Sequence, residues 1–318
     1  YHPVLPNILL VGAQKAGTTA LAAWLFRNGV CSATHFDDEP ESYEKEVHFF
    51  DLPRRHMHGV DFYAKRFERC REKAAILDAT PDYLNCASKV SSLYDEWPTA
   101  KEHVKILMTL REPVAREVSR YNHYRYKNKI AVQRLDGTAW SFDEWTDHVL
   151  IPCFMKDENG TIYNNNNSTT VDTTTTVNGD KIITQGGCPG NYGHYSKHLK
   201  EWFRHFDRSQ ILILSYDEMQ RDPKSARSRI QKFLGDAMLS PNVVNVELPK
   251  ENVKNAPDKV RFPSCASHAK LRDIFAPWNE ELYQLLSEEE TLSSGNPLEE
   301  RPFPKFRLGE CENSDTEQ

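Results

Sequence analysis

The sequence predicts an α/β protein in which helices cover both faces of a central parallel sheet, a three-layer sandwich. Three observations lead to this fold class. Short apolar runs without strict alternation, typical of strands buried on both faces, occur at 8–12, 74–77, 104–110 and 211–214. Helical patterns separate these runs, as in proteins built from alternating strands and helices. The length of 318 residues is sufficient to bury a sizeable core.

The first predicted strand leads through a tight loop into a helix. Its apolar run ILLVG ends at Gly12, and Thr18 and Thr19 open an amphipathic stretch that continues to Phe26. Further helical patterns lie at about 114–128, 193–206, 223–235 and 266–287.

Two prolines bear on the later helices. Pro223 stands at a predicted helix start, where its fixed φ and missing N–H are tolerated. Pro277 falls inside the 266–287 pattern, and we expect it to break the helix there.

We predict a single domain over residues 1–310, with a low-complexity loop inserted at about 154–187 and an acidic tail over 311–318. The insert is poor in large apolar residues, so burial cannot offset the entropy of ordering it. Cys153 and Cys188 flank the insert, and a disulfide between them would close it at its base in an oxidising compartment. The chain after Arg307 is expected to fray.

Charge and apolar patterning limit the partners. A net charge of −6 argues against non-specific binding to nucleic acid. We expect no membrane contact from this chain, because no apolar run is long enough to cross a bilayer. It begins at Tyr1 without an initiator Met, which leaves room for an upstream anchor or targeting segment.

Cysteines and sequons bear on metal binding and on localisation. The seven cysteines fit no zinc-ligand spacing, so we predict no metal, and their odd number leaves at least one thiol free or paired outside this chain. Glycosylation sequons begin at Asn159, Asn166 and Asn167. They favour the Golgi lumen or the secretory pathway, with the cytoplasm as the alternative.

The strongest chemical signal is the string GAQKAGTT at 12–19, between a buried strand and a helix. Such a loop directs backbone N–H groups and the positive end of a helix dipole at an anion, and its glycines allow close approach. It differs from the Walker A pattern GxxxxGK, because Thr18 stands where that pattern has lysine. The loop therefore predicts phosphate binding by a protein other than a nucleoside triphosphatase.

Arg111 ends another buried strand. In open parallel sheets ligands bind outside the carboxyl ends of strands, where a guanidinium can hold phosphate with two hydrogen bonds. Ser119 lies about two helical turns further on and could add a hydroxyl donor to the same phosphate. A surface ion pair for Arg111 and a plain helix-surface position for Ser119 are the alternatives.

Three strings together resemble sulfotransferases that use 3'-phosphoadenosine 5'-phosphosulfate (PAPS), especially the Golgi heparan sulfate branch. GAQKAGTTAL at 12–21 resembles the 5'-phosphosulfate loop of that family, and EVHFFD at 46–51 resembles a segment of its 3-O-sulfotransferases. LREPVAREVSRY at 110–121 is similar to the family segment that holds the 3'-phosphate. The resemblance covers about 5–130 well and 190–290 more loosely, and it implies a P-loop-like sulfotransferase fold with PAPS as donor.

The resemblance also implies roles for individual residues. Glu46 would be the base that takes the acceptor proton, and Lys15 would neutralise charge on the departing nucleotide. His48 could instead be the base, or could orient the acceptor, since imidazole titrates near neutral pH. The residues expected to bind the nucleotide are Gln14, Lys15, Ala16, Gly17, Thr18, Thr19, Arg111 and Ser119.

Two departures from the family pattern concern the acceptor and the late nucleotide loop. Ala79 stands where the heparan sulfate enzymes have a lysine before a Thr/Ser-Pro pair, so a polyanionic acceptor would be gripped differently. The segment DKVRFP at 258–263 only faintly resembles the family's nucleotide loop. Lys259 and Arg261 are its candidate nucleotide ligands, and solvated loop charges are the alternative.

The expected reaction is in-line transfer of a sulfuryl group from PAPS to a hydroxyl or amine of an acceptor, a carbohydrate or a small hydroxyl compound. One alternative is a P-loop-like small-molecule kinase, which would need a lysine at position 18 and an acidic metal ligand such as Asp78 or Asp217. The other is a non-catalytic glycan-binding module.

Overall fold

The structure is a computed structural model, and its chain divides into two compact units. One comprises residues 1–111, 195–254 and 281–306, and the other comprises 112–194, 255–280 and 307–318. The prediction of a single domain over 1–310 stays a prediction. The structure describes residues 2–34, 45–127, 132–134, 137–154, 193–239, 242–243, 246–248, 259–292 and 303–312, with four short strands between 162 and 182.

A four-stranded parallel sheet organises the first unit, in the order β2-β1-β3-β8. Parallel strands joined through helices confirm the predicted α/β class. The run predicted at 74–77 contributes less than expected, because Ile76 pairs with Cys31 as an isolated bridge ahead of the strand. The strands are β1 (Ile8–Gly12), β2 (Leu77–Asp78), β3 (Lys105–Leu110) and β8 (Ile211–Ser215).

Helices of the first unit surround this sheet. Single 3-10 turns at Glu68–Cys70, Pro81–Asn85 and Arg208–Gln210 complete the connections. The helices are α1 (Thr18–Arg27), α2 (Pro53–His56), α3 (Gly59–Lys65), α4 (Ala87–Tyr94), α5 (Pro98–His103), α9 (Tyr195–His205), α10 (Tyr216–Arg221) and α11 (Pro223–Leu234).

The sheet is buried on both faces. Successive side chains of a strand point to opposite faces, and every residue of β1 and β8 is buried. On one face, Leu10 of β1 belongs to a core that also contains Trp24 of α1 and Phe233 of α11. This burial explains why the strands appear in the sequence as continuous apolar runs.

The second unit is mainly helical, with α6 (Pro113–Tyr126), α7 (Phe142–Trp145) and α8 (Ile151–Phe154), the last two joined by a π-helical turn at Thr146–Leu150. The buried Glu112 carboxylate caps α6 by accepting from the N–H groups of Val114 and Ala115. Within the predicted insert, two antiparallel strand pairs are present: β4 (Ile162–Asn164) with β5 (Asn167–Thr169), and β6 (Thr175–Val177) with β7 (Asp180–Ile182).

The last helix, α12 (Cys265–Leu292), continues through Pro277, so the predicted break there is wrong. A proline removes one helical hydrogen bond and typically costs about 3 kcal/mol. Buried apolar residues lie on both sides of it, Phe275 before and Leu282 after, and their packing offsets that cost. None of the helices in the described part of the chain combines the length and the apolar composition of a bilayer-crossing segment.

Disulfides join Cys31 to Cys70 and Cys265 to Cys311. The second bond corrects the expectation that the chain frays directly after Arg307, because it ties residues up to Glu312 beside the start of α12. Cys153 is disulfide-bonded as predicted, while its predicted partner Cys188 lies outside the described residues. Among the described cysteines Cys86 is a free, buried thiol, which confirms that at least one cysteine is unpaired within the chain.

Candidate active site

The loop predicted to bind an anion connects β1 to α1 in the first unit. The Ala13 N–H donates to the Thr109 carbonyl of β3 at 2.7 Å, which fixes the loop on the sheet. Lys15 and Gly17 have left-handed φ angles of 69° and 87°, and no side chain of the described residues caps the N-terminus of α1. The first N–H groups of this ten-residue helix and its dipole therefore favour an anion.

Other predicted residues of the loop are mostly enclosed. Ala16 and Thr18 are buried, and Thr19 is half-buried. The side-chain oxygen of Gln14 is buried and accepts no hydrogen bond from the described residues. An unpaired buried acceptor is costly, so this atom is suited to a donor group on a ligand.

Arg111 contacts the loop, as the sequence predicted. Its guanidinium donates to the Lys15 carbonyl at 3.1 Å, and the Tyr195 hydroxyl donates to the Arg111 carbonyl at 2.8 Å. The guanidinium carbon lies 4.7 Å from the centre of the Tyr216 ring, which begins α10 after β8. Arg111 makes no ion pair with a described carboxylate, so the surface ion pair does not account for it.

Gly17 is required by close packing as well as by its φ. A Cβ at this position would lie 2.9 Å from the Tyr216 ring. The Tyr216 ring thus packs against the loop at Gly17, and the Arg111 guanidinium stacks on the face of the same ring. Sequence reasoning missed Tyr216, although a residue directly after a buried strand was a usable signal.

The predicted catalytic residues Glu46 and His48 lie side by side in a segment that we call the base segment, residues 45–51. The Lys45 ammonium contacts one Glu46 oxygen, and His48 Nε2 lies 3.5 Å from the other. His48 Nδ1 lies 2.7 Å from Asp51 Oδ2. A chain of alternating charges, Lys45, Glu46, His48 and Asp51, results.

These contacts set the protonation states. Burial alone would raise the pKa of Glu46, but the hydrogen bond with His48 and the charge of Lys45 outweigh it and lower the pKa to about 2. Burial would lower the pKa of His48, but hydrogen bonds to Asp51 and Glu46 raise it to about 10. Glu46 is therefore the ionised member of the pair and His48 the protonated one at neutral pH, an arrangement that favours Glu46 over His48 as the base.

Side chains and one backbone group hold the backbone of the base segment. The Lys45 carbonyl accepts from the N–H of Ala79, the residue that follows β2, at 3.1 Å. His48 has a left-handed φ of 54°, which is unfavourable for a residue with a Cβ. The side-chain contacts to this backbone within the described residues are Arg55 to the Val47 carbonyl, the His48 N–H to Thr80 Oγ1 at 3.3 Å, the Phe49 N–H to the Tyr83 hydroxyl at 2.7 Å, and Lys89 to the Phe50 carbonyl at 2.9 Å.

Asp78 lies behind two of these contacts, at the end of β2. Its carboxylate is fully buried and accepts from the hydroxyls of Thr80 at 2.6 Å, Tyr63 at 2.9 Å and Tyr83 at 3.0 Å. Burial raises its pKa to about 6, although these hydrogen bonds oppose the rise. The kinase alternative needs an acidic residue that is open to a metal ion, and Asp78 and Asp217 were its candidates. Three hydroxyl donors occupy the Asp78 carboxylate, and the Asp217 carboxylate lies 3.9 Å from the Arg221 guanidinium. Neither residue therefore resembles such a ligand.

One trio of described residues could hold a metal ion: His48, Asp51 and Asp82, with candidate ligand atoms within 4.8 Å of one another. A metal would have to displace the proton that His48 shares with Asp51, because a ligating imidazole is neutral. The raised pKa of His48 opposes that exchange. The trio is therefore better suited to holding His48 protonated.

The anion loop and the base segment meet at the Pro81–Asn85 turn. Thr80 accepts from the base segment, and the next residue, Pro81, has its carbonyl 3.0 Å from where a Gly12 Cβ would lie. Tyr83 and Leu84 continue this arrangement, with Leu84 equally close to Gly12. The Thr80-Pro81 step thus joins the two halves of the candidate site.

The remaining predicted ligands belong to the second unit. Ser119 is half-buried on α6. One turn further on, the Asn122 side chain exchanges two hydrogen bonds with the backbone of Val260, at 2.8 and 3.0 Å. Lys259 and Arg261 flank Val260 and are exposed. The structure therefore places the 259–261 segment against the helix that carries Ser119, and the nucleotide-binding role of Ser119, Lys259 and Arg261 stays a prediction.

Three arginines after the base segment have structural contacts. Arg55 and Arg66 are buried and donate to the carbonyls of Val47 and Thr34. Arg69 contacts Ser32.

Comparisons with known proteins identify a family and a fold. The family model described as the sulfotransferase domain matches residues 5–259. A crystal structure of a sulfotransferase from Alicyclobacillus acidocaldarius superposes with a TM-score of 0.55 at 23% identity, covering 88% of this chain and 95% of that one. This second likeness shows the fold.

Curated relatives are similar over most of the chain. Heparan sulfate glucosamine 3-O-sulfotransferase 3A1 of Mus musculus is 24% identical over 303 residues, which cover 88% of this chain and 63% of the relative. Bifunctional heparan sulfate N-deacetylase/N-sulfotransferase 2 of Homo sapiens is 26% identical over 246 residues, 73% of this chain and 22% of the relative. Membrane-associated sulfotransferase kil1 of Dictyostelium discoideum is 24% identical, with 89% and 65% covered. The chain spans less than two thirds of the length of each of these relatives.

Proposed function

The chain belongs to the sulfotransferase family, and from this premise we propose that it transfers a sulfuryl group from PAPS to a hydroxyl or amine of a carbohydrate acceptor. The observation that carries the proposal is the contact between Arg111 and the loop at Lys15, which joins a guanidinium to an uncapped helix N-terminus. Two anion-binding elements in contact suit a ligand that carries more than one phosphate or sulfate group.

The loop residues fit the sulfated end of such a nucleotide. The left-handed Lys15 and Gly17 leave the backbone at the start of α1 open to an anion, and the unpaired Gln14 oxygen can accept from a ligand donor. Lys15, Ala16, Gly17, Thr18 and Thr19 hold the phosphosulfate, while Arg111 and Ser119 hold the 3'-phosphate. Lys259 and Arg261 are the further nucleotide ligands that we propose.

PAPS supplies the activated sulfuryl group when it is bound. Glu46 takes the proton of the acceptor hydroxyl or amine, and it is ionised at neutral pH as this role requires. Its low pKa makes it a weak base while Lys45 and His48 contact it, so we expect the acceptor to displace Lys45 from the carboxylate. His48 orients Glu46, and Lys15 stabilises the negative charge that develops on the leaving group.

The acceptor class follows from the relatives and from charge. The names of two relatives specify heparan sulfate, and Lys45 and protonated His48 place two cations beside the base. A sulfated or carboxylated glycan is therefore the acceptor that we propose. Ala79 is buried where the related enzymes have lysine. Lys45 lies beside it, because the Lys45 carbonyl accepts from the Ala79 N–H at 3.1 Å. We therefore propose that Lys45 is the cation that contacts the acceptor in place of that lysine.

Two disulfides support a secretory or Golgi location, because such bonds persist in oxidising compartments. A direct test is to express the full-length protein with a C-terminal epitope tag and to examine its sensitivity to endoglycosidase. A glycosylated lumenal protein is the expected result, and an unglycosylated cytosolic protein with reduced cysteines would contradict it.

The proposed activity is tested by incubating the protein with PAPS labelled in the sulfuryl group and a panel of acceptors: N-sulfated heparosan, heparan sulfate, chondroitin and a small phenol. We expect label in the heparan-type glycans, and a Tm that rises with adenosine 3',5'-diphosphate, by mass action. A matched sample with adenosine 5'-monophosphate controls for binding of any nucleotide. If no acceptor is labelled and the diphosphate leaves the Tm unchanged, the proposal is wrong.

A further inference from the structure

Two successive backbone N–H groups of the base segment donate to side-chain hydroxyl groups. The N–H groups of His48 and Phe49 donate to Thr80 Oγ1 and to the Tyr83 hydroxyl oxygen. These two contacts fix the chain where His48 has a left-handed φ, a conformation that needs support from its surroundings.

Asp78 determines which way both hydroxyls point. A hydroxyl has one proton to donate, and each of these gives it to the Asp78 carboxylate, Thr80 to Oδ1 and Tyr83 to Oδ2. Both hydroxyl oxygens are then left as acceptors, directed at the backbone N–H groups. The carboxylate thus acts on the base segment through two hydroxyls without contacting it.

We propose that Asp78, Thr80 and Tyr83 are positioning residues for Glu46 and His48. Asp78 aligns the two hydroxyls, and the hydroxyls hold the backbone so that the His48 imidazole lies between Glu46 and Asp51. This inference rests on the proposed function, since it assigns these three residues to the same reaction. All three are fully buried, so their effect on the reaction is indirect.

Tyr63 provides a matched control. Its hydroxyl donates to the same Asp78 oxygen as Tyr83, at nearly the same distance, and both rings are fully buried against the phenylalanines of the base segment. Only the Tyr83 hydroxyl also accepts from a backbone N–H of that segment, at Phe49. Removal of either hydroxyl therefore perturbs the core similarly, while only the removal at Tyr83 takes a hydrogen-bond partner from the backbone of the base segment, at Phe49.

The experiment compares Tyr83→Phe with Tyr63→Phe in the sulfuryl-transfer assay. We expect Tyr83→Phe to lower kcat by up to about 100-fold, the loss typical of a small misplacement of reacting groups, with KM for PAPS unchanged. We expect Tyr63→Phe to keep kcat within about twofold, with a similar decrease in Tm. Equal losses of kcat in the two variants would overturn the proposal.

A second pair of variants covers the case in which Tyr83→Phe does not fold. Thr80→Val removes the hydroxyl but keeps the shape, and Thr80→Ser keeps the hydroxyl. We expect the valine variant to lose kcat and the serine variant to retain it. Loss of kcat in both, or in neither, would overturn the assignment of Thr80.

An NMR titration of His48 separates failure of this inference from failure of the proposed function. When the base segment is released, the imidazole separates from Glu46 and Asp51, so its pKa falls from about 10 towards 6.5 in Tyr83→Phe and stays high in Tyr63→Phe. This measurement needs no substrate. A wild-type protein that transfers no sulfate overturns the function, whereas an unchanged His48 titration in Tyr83→Phe overturns the positioning role alone.

Discussion

The guanidinium of Arg111 stacks on the ring of Tyr216, with 4.7 Å between the guanidinium carbon and the ring centre. The same ring lies so close to Gly17 that a Cβ there would be 2.9 Å away. Tyr216 therefore sets the distance between the arginine and the anion loop. A guanidinium held on an aromatic face keeps its N–H edge available for a phosphate.

The first prediction concerns the charge geometry of Arg111. Arg111→Lys keeps the charge but loses the planar pair of donors and the stacking on Tyr216, so we expect the Kd for adenosine 3',5'-diphosphate to rise about 10- to 100-fold. Isothermal titration calorimetry measures the change. Arg204→Lys is the control, because Arg204 contacts only Glu201 on an exposed helix face among the described residues. An unchanged Kd in Arg111→Lys would remove this residue from the nucleotide site.

The second prediction separates a steric effect at Gly17 from backbone strain. Gly17→Ala adds both a left-handed alanine and a contact with Tyr216, so we expect about 2–4 kcal/mol lower unfolding free energy and a loss of nucleotide binding. Gly59→Ala is the control, since Gly59 has a φ of 75° but open space around its Cβ position. It should cost about 1–2 kcal/mol by denaturant unfolding and keep nucleotide binding. Equal effects of the two substitutions on nucleotide binding would argue against the packing role of Tyr216.

The third prediction tests the base. Glu46→Gln preserves the size of the side chain but removes the proton acceptor, so we expect kcat to fall about 10²- to 10⁴-fold. The Kd for adenosine 3',5'-diphosphate should change by less than about twofold, because Glu46 has no role in holding the nucleotide. Glu201→Gln, on an exposed helix face, is the matched control. Undiminished turnover in Glu46→Gln would exclude Glu46 as the base.

The fourth prediction is a pH dependence of stability. Because folding raises the pKa of His48 from 6.5 to about 10, its stabilising contribution is fully present below pH 6.5 and is lost as the pH rises towards 10. Urea unfolding at pH 6, 8 and 10 should show this decline, and His48→Gln should show a shallower one. A His48 titration midpoint near 6.5 in the folded protein would contradict the prediction.

Folding has the opposite effect on Glu46, whose pKa it lowers from 4.5 to about 2. The stability that Glu46 contributes is present above pH 4.5 and is lost as the pH falls towards 2. Lys45 and His48 provide this contribution together, so the acid decline should be shallower in Glu46→Gln.

The sequence by itself determined the α/β class, the strand-loop-helix element proposed to bind the anion and the two segments that carry Arg111 and Glu46. These features are local, because a buried strand, a glycine-containing turn and a helix start all leave a pattern within about ten neighbouring residues. The continuous helix through Pro277 was not predictable in this way, since the packing that offsets the lost hydrogen bond comes from residues distant in the sequence.

Only the tertiary structure decided the surroundings of these local features. Tyr216 reaches Gly17 and Arg111 across about 200 and 100 residues of chain, and Asp78 reaches the base segment through two hydroxyls. The protonation of His48 likewise depends on burial and on Glu46 and Asp51 together. Contacts of this kind depend on how separate strands and turns pack in space, and a linear pattern contains no record of that packing.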